Sequence, residues 1–253
     1  DRSPSRGLGD VYKRQPLDGR YKKTSQNLSE YLSEGALIHY RIKVELLWTD
    51  HLLEAMEKGD LPKTIKNIEI NRALLKELSQ RDYRTEAHLV KEIEKTTNHD
   101  VKACEYFIQK VFDKKEISSD VKPYIHFACT SEDINNLSYG LMLKDLKENS
   151  LLTSSKELES SLTDISFKNK ENSLLSRTHG QAASPTTLGK EIALFLHRLR
   201  EQRKLLEDIP VFGKINGAVG NYNAHKFVFP ETNWPKLCKN FVEKKLGLTW
   251  NPY

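Results

Sequence analysis

The sequence predicts an all-α protein. Apolar residues recur at helical spacing through most of the 253 residues, no segment alternates long enough to make a strand, and no fixed-period repeat is present. With 30% of residues charged and 38% hydrophobic, the charges interleave along the helical stretches and read as solvated faces. The length suits one large domain or two smaller ones and is ample for a buried core. Helices with so much polar surface suggest a bundle, one that partner subunits could complete.

Residues 1–15 have no periodicity and few core-forming residues, and read as a non-native or disordered extension. Pro16-Leu-Asp-Gly-Arg-Tyr21 is a turn sequence with Asp18-Gly19 as its breaker. From Asn27 to Lys58, Leu28, Tyr31, Leu32, Ile38, Ile42, Leu46, Leu53 and Met56 fall at helical spacing, predicting one long amphipathic helix ended by Gly59-Asp60. Further helices are predicted over 66–80, 85–95 and 101–114, the last capped by Thr97 or Asn98. Residues 120–127 connect to a long helical stretch that starts at Thr130-Ser131 and runs to Lys170, with breaks near Asn149 and Ser150. Ser184 as N-cap and Pro185 as first helical residue predict a helix to Asp208, stopped before Pro210. Residues 213–223 form a glycine-bearing loop, and a final helix is expected over 234–246.

Several function classes are excluded. The net charge of +5 is not concentrated in a basic block with interleaved aromatics, so a nucleic-acid binder is not indicated. No apolar run approaches the ~20 residues of a membrane span. Cys104, Cys129 and Cys238 are far apart and odd in number, which indicates neither a zinc site nor a disulfide framework and fits a reduced, cytoplasmic setting. The glycines of 213–220 match neither nucleotide-loop pattern, so a tight loop close to another backbone is the better reading.

Chemistry concentrates at four turn-to-helix junctions: Arg20-Tyr21, Asn98-His99-Asp100, Thr130-Ser131 and Thr178-His179. Helix N-termini favour carboxylates and phosphates, and an arginine adds bidentate anion recognition, so together they suit a substrate with several anionic groups. His179, beside Gly180 in a short polar turn and flanked by Thr178 and Gln181, is a candidate general acid. Each junction also has a plain structural reading: a hydrogen-bonded turn at His179, helix caps at 97–98 and 130–131, a surface arginine at Arg20 and a core aromatic at Tyr21.

Five stretches then occur in order: Pro16-x-Asp-Gly-Arg-Tyr21, Thr97-Asn-His-Asp-Val101, Phe127-Ala-Cys-Thr-Ser-Glu-Asp-Ile-Asn-Asn136, Ser176-Arg-Thr-His-Gly-Gln181 and Gly213-Lys-Ile-Asn-Gly-Ala-Val-Gly-Asn-Tyr-Asn-Ala-His225. The set resembles the adenylosuccinate lyases, particularly the bacterial type, of the fumarase/aspartase superfamily, from Pro16 to Tyr253. That resemblance implies cofactor-free and metal-free β-elimination, splitting adenylosuccinate into AMP and fumarate and releasing fumarate from a succinylcarboxamide purine intermediate. It implies His179 as the general acid and His99 as a second catalytic histidine that positions substrate, with Asn98 and Asp100 beside it. Arg20 and Tyr21 would contact the nucleotide, Thr130 and Ser131 the succinyl or fumarate part, and Thr178 and Gln181 would flank the acid in the binding set. The implied architecture is an N-terminal helical domain (16–125) followed by the first part of a long central helical bundle (126–253), in a homotetramer with shared active sites.

The sequence departs from the family at Gln15, where Ser usually precedes the first motif, and mildly at Ala182 and Ser184. The family's Gly- and Ser-rich loop carrying the catalytic base lies downstream of everything present, so the resemblance implies an N-terminal fragment without appreciable activity alone. The alternatives are another fumarate-releasing lyase of the superfamily and a non-catalytic helical scaffold derived from one.

Overall fold

The computed structural model describes Tyr21 and residues 23–253. The expected extension over 1–15 and Arg20 with its turn lie outside the described residues. The chain is 66% helical with only short strands, so the all-α expectation holds. It divides into two compact units, the first built from residues up to Leu143 together with 211–253, the second from 144–210.

In the first unit, the predicted long N-terminal helix is broken. Helix α1 (Ser29–Leu32) ends at Ser33, whose extended backbone (ψ 166°) interrupts the run. The Ser33 hydroxyl accepts from the Ala36 N–H at 3.1 Å and so caps α2 (Glu34–Lys58), which closes at Gly59 in the left-handed region (φ +82°). Helix α2 is not amphipathic in place. It is buried on nearly every side, polar Arg41, Glu45, Thr49 and Asp50 included, because α3 (Ile68–Ser79), α4 (Ala87–Thr97) and α5 (Asp100–Lys114) surround it.

Helix α6 (Ser131–Leu146) leads to a π-helical turn over Lys147–Leu151, the break expected near Asn149. Strand β3 (Phe212–Gly213) pairs in parallel with β4 (Thr249–Trp250), and between them lie α9 (Asn223–Val228) and α10 (Trp234–Asn240), the latter continuing as a π turn over Phe241–Lys245. The core centres on Trp48, wholly buried, whose ring meets Phe241 edge-on at 5.0 Å. Burying each such large apolar side chain contributes about 1.5–3 kcal/mol.

In the second unit, α7 (Leu152–Lys168) pairs with α8 (Leu188–Asp208). The helices approach closely at Gly189: a Cβ there would lie 2.4 Å from the Ser166 carbonyl oxygen. Between them stands an antiparallel hairpin, β1 (Ser173–Thr178) and β2 (Gln181–Thr187), which corrects the expectation of a polar turn leading straight into a helix. Ser184 and Pro185 sit in β2, and the cap of α8 is Thr187, whose hydroxyl accepts from the Lys190 N–H at 3.2 Å. Proline is admissible because a two-stranded ribbon consists of edge strands. Most of the hairpin is solvent-exposed on both faces, so no alternation marks it in the sequence.

Candidate active site

Asn98-His99-Asp100 joins α4 to α5. Asn98 ends α4 in the left-handed region (φ +50°), and His99, rather than Thr97 or Asn98, caps α5: its Nδ1 accepts from the Lys102 N–H at 3.2 Å. An imidazole nitrogen that accepts carries no proton, so the neutral ring keeps its hydrogen on Nε2. That Nε2 lies 3.4 Å from the Ser131 hydroxyl at the start of α6. Two of the four predicted junctions therefore meet.

A buried arginine holds them together. From α2, Arg41 donates through Nη2 to Asp100 Oδ2 at 2.6 Å and through Nε to Asn135 Oδ1 at 2.9 Å, linking the starts of α5 and α6. Burial alone would raise the Asp100 carboxyl, but the Arg41 guanidinium and the Val101 N–H outweigh it and hold Asp100 below the usual carboxylate range.

The start of α6 is organised by Asp133, whose side chain is wholly buried. Its Oδ2 accepts from the Thr130 N–H and the Gly217 N–H, both at 3.0 Å, and its Oδ1 from the Asn216 N–H at 3.2 Å. The first of these is the returning half of a capping box, and the others pin the 213–220 loop to the helix. Asn136 completes the junction, accepting from the Lys214 N–H at 2.9 Å. The loop packs closely at Gly213, against side chains rather than the backbone expected: a Cβ there would fall 2.7 Å from the Leu137 side chain.

Just before Thr130, the chain passes through two left-handed non-glycine residues, His126 (φ +58°) and Ala128 (φ +59°). His126 Nδ1 lies 2.6 Å from Glu45 Oε1, and Lys102, one turn after the His99 cap, pairs with Glu105 at 2.7 Å. A groove of about 890 Å³ between α4 and α5 reaches Thr97 but is lined by neither His99 nor Ser131, so it is separate from this cluster.

In the second unit, His179 and Gly180 are the two central residues of the hairpin turn, both at positive φ (+49° and +76°), the combination that a tight two-residue connection needs. Thr178 pairs with Gln181 directly beneath it, so all three predicted residues stand exposed at the tip. Tyr21 is exposed, and its carbonyl oxygen accepts from the Thr24 and Ser25 N–H groups at 2.9 Å.

Arg41, Glu45, His126 and Asp133 were not singled out by sequence. For Arg41 and Glu45 a signal existed: they occupy the same helical face as Ile38, Ile42 and Leu46, and a charge on an apolar face demands a partner.

Known proteins now bear on the assignment. A family model described as a lyase matches residues 19–252. The chain belongs to this lyase family. The chain is 43% identical over 238 residues to an adenylosuccinate lyase of Legionella pneumophila strain Philadelphia 1, covering 94% of this chain and 51% of the relative. It is 42% identical over 240 residues to the adenylosuccinate lyase of Escherichia coli K12, with the same coverages. The chain thus spans about half the length of the curated relatives it matches. Among solved structures, a fumarate lyase from Mesorhizobium sp. BNC1 superposes with a TM-score of 0.68 at 16% identity, covering 89% of this chain and 48% of that one. A 3-carboxy-cis,cis-muconate lactonizing enzyme from Pseudomonas putida gives 0.66 at 19% identity, covering 96% and 50%. At those identities the likeness is one of fold.

Among the described residues, no group of three or more His, Cys, Asp or Glu side chains is placed to hold a metal ion, and no helix is long and apolar enough to cross a membrane.

Proposed function

We propose that this lyase chain is the N-terminal part of an adenylosuccinate lyase, which cleaves adenylosuccinate to AMP and fumarate and acts likewise on the succinylcarboxamide purine intermediate. The observation that carries the reading is the 42–43% identity to adenylosuccinate lyases across 94% of the chain, a span that holds every described junction. In this elimination a base removes a proton next to a carboxylate, the C–N bond breaks, and the electron pair of the C–H bond becomes the new C=C bond.

His179 is assigned the proton given to the departing nitrogen, a role its place on a tight turn suits, since the ring is fixed at the backbone yet open to solvent. His99 is assigned to positioning, because its Nδ1 is committed to the α5 cap and its Nε2 is the edge left to face substrate beside Ser131. Thr130 and Ser131, at the start of α6, are assigned the succinyl part, where helix N–H groups and hydroxyls offset developing negative charge. Arg20, Tyr21, Asn98, Asp100, Thr178 and Gln181 complete the binding set, and the protein is assigned to the cytoplasm with neither metal nor organic cofactor. No residue of this chain is assigned the base.

A homotetramer with shared sites is part of the same proposal. It is supported by the apolar side chains that α7 and α8 leave in water, Leu158, Phe167, Phe195 and Leu205 among them, each at least half exposed.

The test is a chimera in which residues 19–252 replace the matching half of the Escherichia coli relative. Fumarate release from adenylosuccinate, lost by several orders of magnitude in His179→Ala, is the expected result. A folded, tetrameric chimera that leaves adenylosuccinate intact overturns the reading, and one that is active on another succinyl or aspartyl substrate replaces it.

A further inference from the structure

Glu45 is a wholly buried carboxylate in the most enclosed helix of the first unit, and it spends both oxygens on one residue. Its Oε2 accepts from the His126 N–H at 3.0 Å and its Oε1 from His126 Nδ1 at 2.6 Å. The gripped residue heads a strained turn, with His126 and Ala128 both left-handed. Trp48, one helical turn beyond Glu45 on α2, holds the same turn by donating from Nε1 to the Phe127 carbonyl oxygen at 3.1 Å. Two residues after Ala128 comes Thr130, then Ser131, which lies against His99.

An apolar residue at this depth would stabilise α2 at least as well as a charge, so stability does not account for Glu45. A fixed backbone does, because non-glycine residues keep left-handed conformations only where their surroundings over-determine them. We propose that Glu45 is a positioning residue for the substrate-binding turn: by clamping His126 at backbone and ring together, it sets the left-handed path that delivers Thr130 and Ser131 to His99. The role of Thr130 and Ser131 in that statement rests on the adenylosuccinate lyase reading; the clamp does not.

The clamp has an electrostatic signature. The charged groups facing His126 are Glu45 from α2 and Glu105 and Lys102 from α5. Burial opposes an imidazolium here, but the Glu45 hydrogen bond and charge, with Glu105 at 4.0 Å, outweigh burial and Lys102 and raise His126 above an ordinary histidine. Burial raises Glu45 as well, with the neighbouring Glu105 charge adding to it, while the His126 hydrogen bonds and charge pull the other way.

The experiment is imidazole and backbone amide NMR on the full 253-residue chain and its Glu45→Gln variant, which keeps the shape but loses the charge and exchanges one acceptor oxygen for an NH2 donor. His126 is expected to titrate above the ordinary range in the parent and lower in the variant, with Ala128–Ser131 amide shifts displaced and far-UV circular dichroism retained. An unchanged His126 midpoint, or unmoved Ala128–Ser131 amides, overturns the proposal. Should Glu45→Gln fail to fold, Glu45→Asp decides: the charge stays and His126 remains raised, while the shorter side chain displaces the same amides, and undisplaced amides overturn it.

In the chimera, Glu45→Gln is expected to raise KM about tenfold or more and to shift the pH profile, an effect of size 1.4 kcal/mol per tenfold. An active chimera whose KM and pH profile are untouched by Glu45→Gln overturns the positioning role. A chimera inactive before any substitution overturns the lyase reading alone, since the NMR result does not depend on it.

Discussion

Arg41 reaches Asp100 across 2.6 Å from inside the core, with its own side chain almost wholly buried while the carboxylate is partly in water. The two residues are 59 positions apart in sequence, and their contact is what brings the His99 cap against the α2 scaffold. Charge in that position requires a counter-charge.

Asp100→Asn is therefore expected to destabilise the chain by about 1–3 kcal/mol, read by urea unfolding at pH 7, because it leaves the guanidinium with a neutral partner. The sign with pH follows from the direction of the shift. Asp100 is held below its unfolded value, so its contribution is complete above that value and is lost as pH falls through the folded one. The parent should lose stability faster than the variant on acidification below about pH 4. Parallel acid limbs would show that the pair does not act as described.

His225 predicts a second pH dependence. Its ring is wholly buried among Trp48, Trp234 and Tyr222, neither nitrogen has a hydrogen-bond partner among the described residues, and burial lowers its pKa from 6.5 to about 4. The unfolded chain binds this proton first, so stability falls as pH drops from about 6.5 towards 4, by about 3 kcal/mol in all. His225→Leu should flatten that segment of the thermal midpoint against pH curve and leave the pH 7 value unchanged or raised.

His99 combines a cap with a site position, and two substitutions separate them. His99→Ala should cost about 1 kcal/mol through the lost cap, whereas His99→Asn, which can still accept from the Lys102 N–H, should cost little. Both should depress fumarate release in the chimera. An active, stable His99→Asn enzyme would confine His99 to capping.

Gly189→Ala tests the approach of α7 and α8. The new methyl would stand 2.4 Å from the Ser166 carbonyl oxygen and 2.6 Å from the Lys170 backbone. Loss of about 1–3 kcal/mol in thermal unfolding is expected. A neutral result would mean the helices part without cost.

What could be read from sequence followed from local rules. Helix ends were legible where a glycine or a proline marks them, as at Gly59 and before Pro210, whereas the expected caps of α5 and α8 were misplaced by one to three residues. The His179 turn and the meeting of His99 with Ser131 lay in stretches whose polar residues stood out against apolar helices. The hairpin was illegible because strands exposed on both faces have no pattern, and the break at Ser33 because a single extended residue leaves the apolar spacing intact. Glu45 was legible as a charge on an apolar face, but its partner was not: His126 is 81 residues away, and helical charge patterning looks only three or four residues ahead.

The first unit is discontinuous, and that orders events during synthesis. The second unit, residues 144–210, is contiguous and can close as soon as it leaves the ribosome. The first cannot. Trp48 and His51 wait for Phe241, so the face of α2 that carries them stays wet until roughly two hundred further residues have been translated, and Asp133 on α6 waits in turn for Asn216 and Gly217. Through that interval the α2–α5 assembly is a nascent intermediate with an open aromatic seam, the species on which a chaperone, or a neighbouring nascent chain, would act.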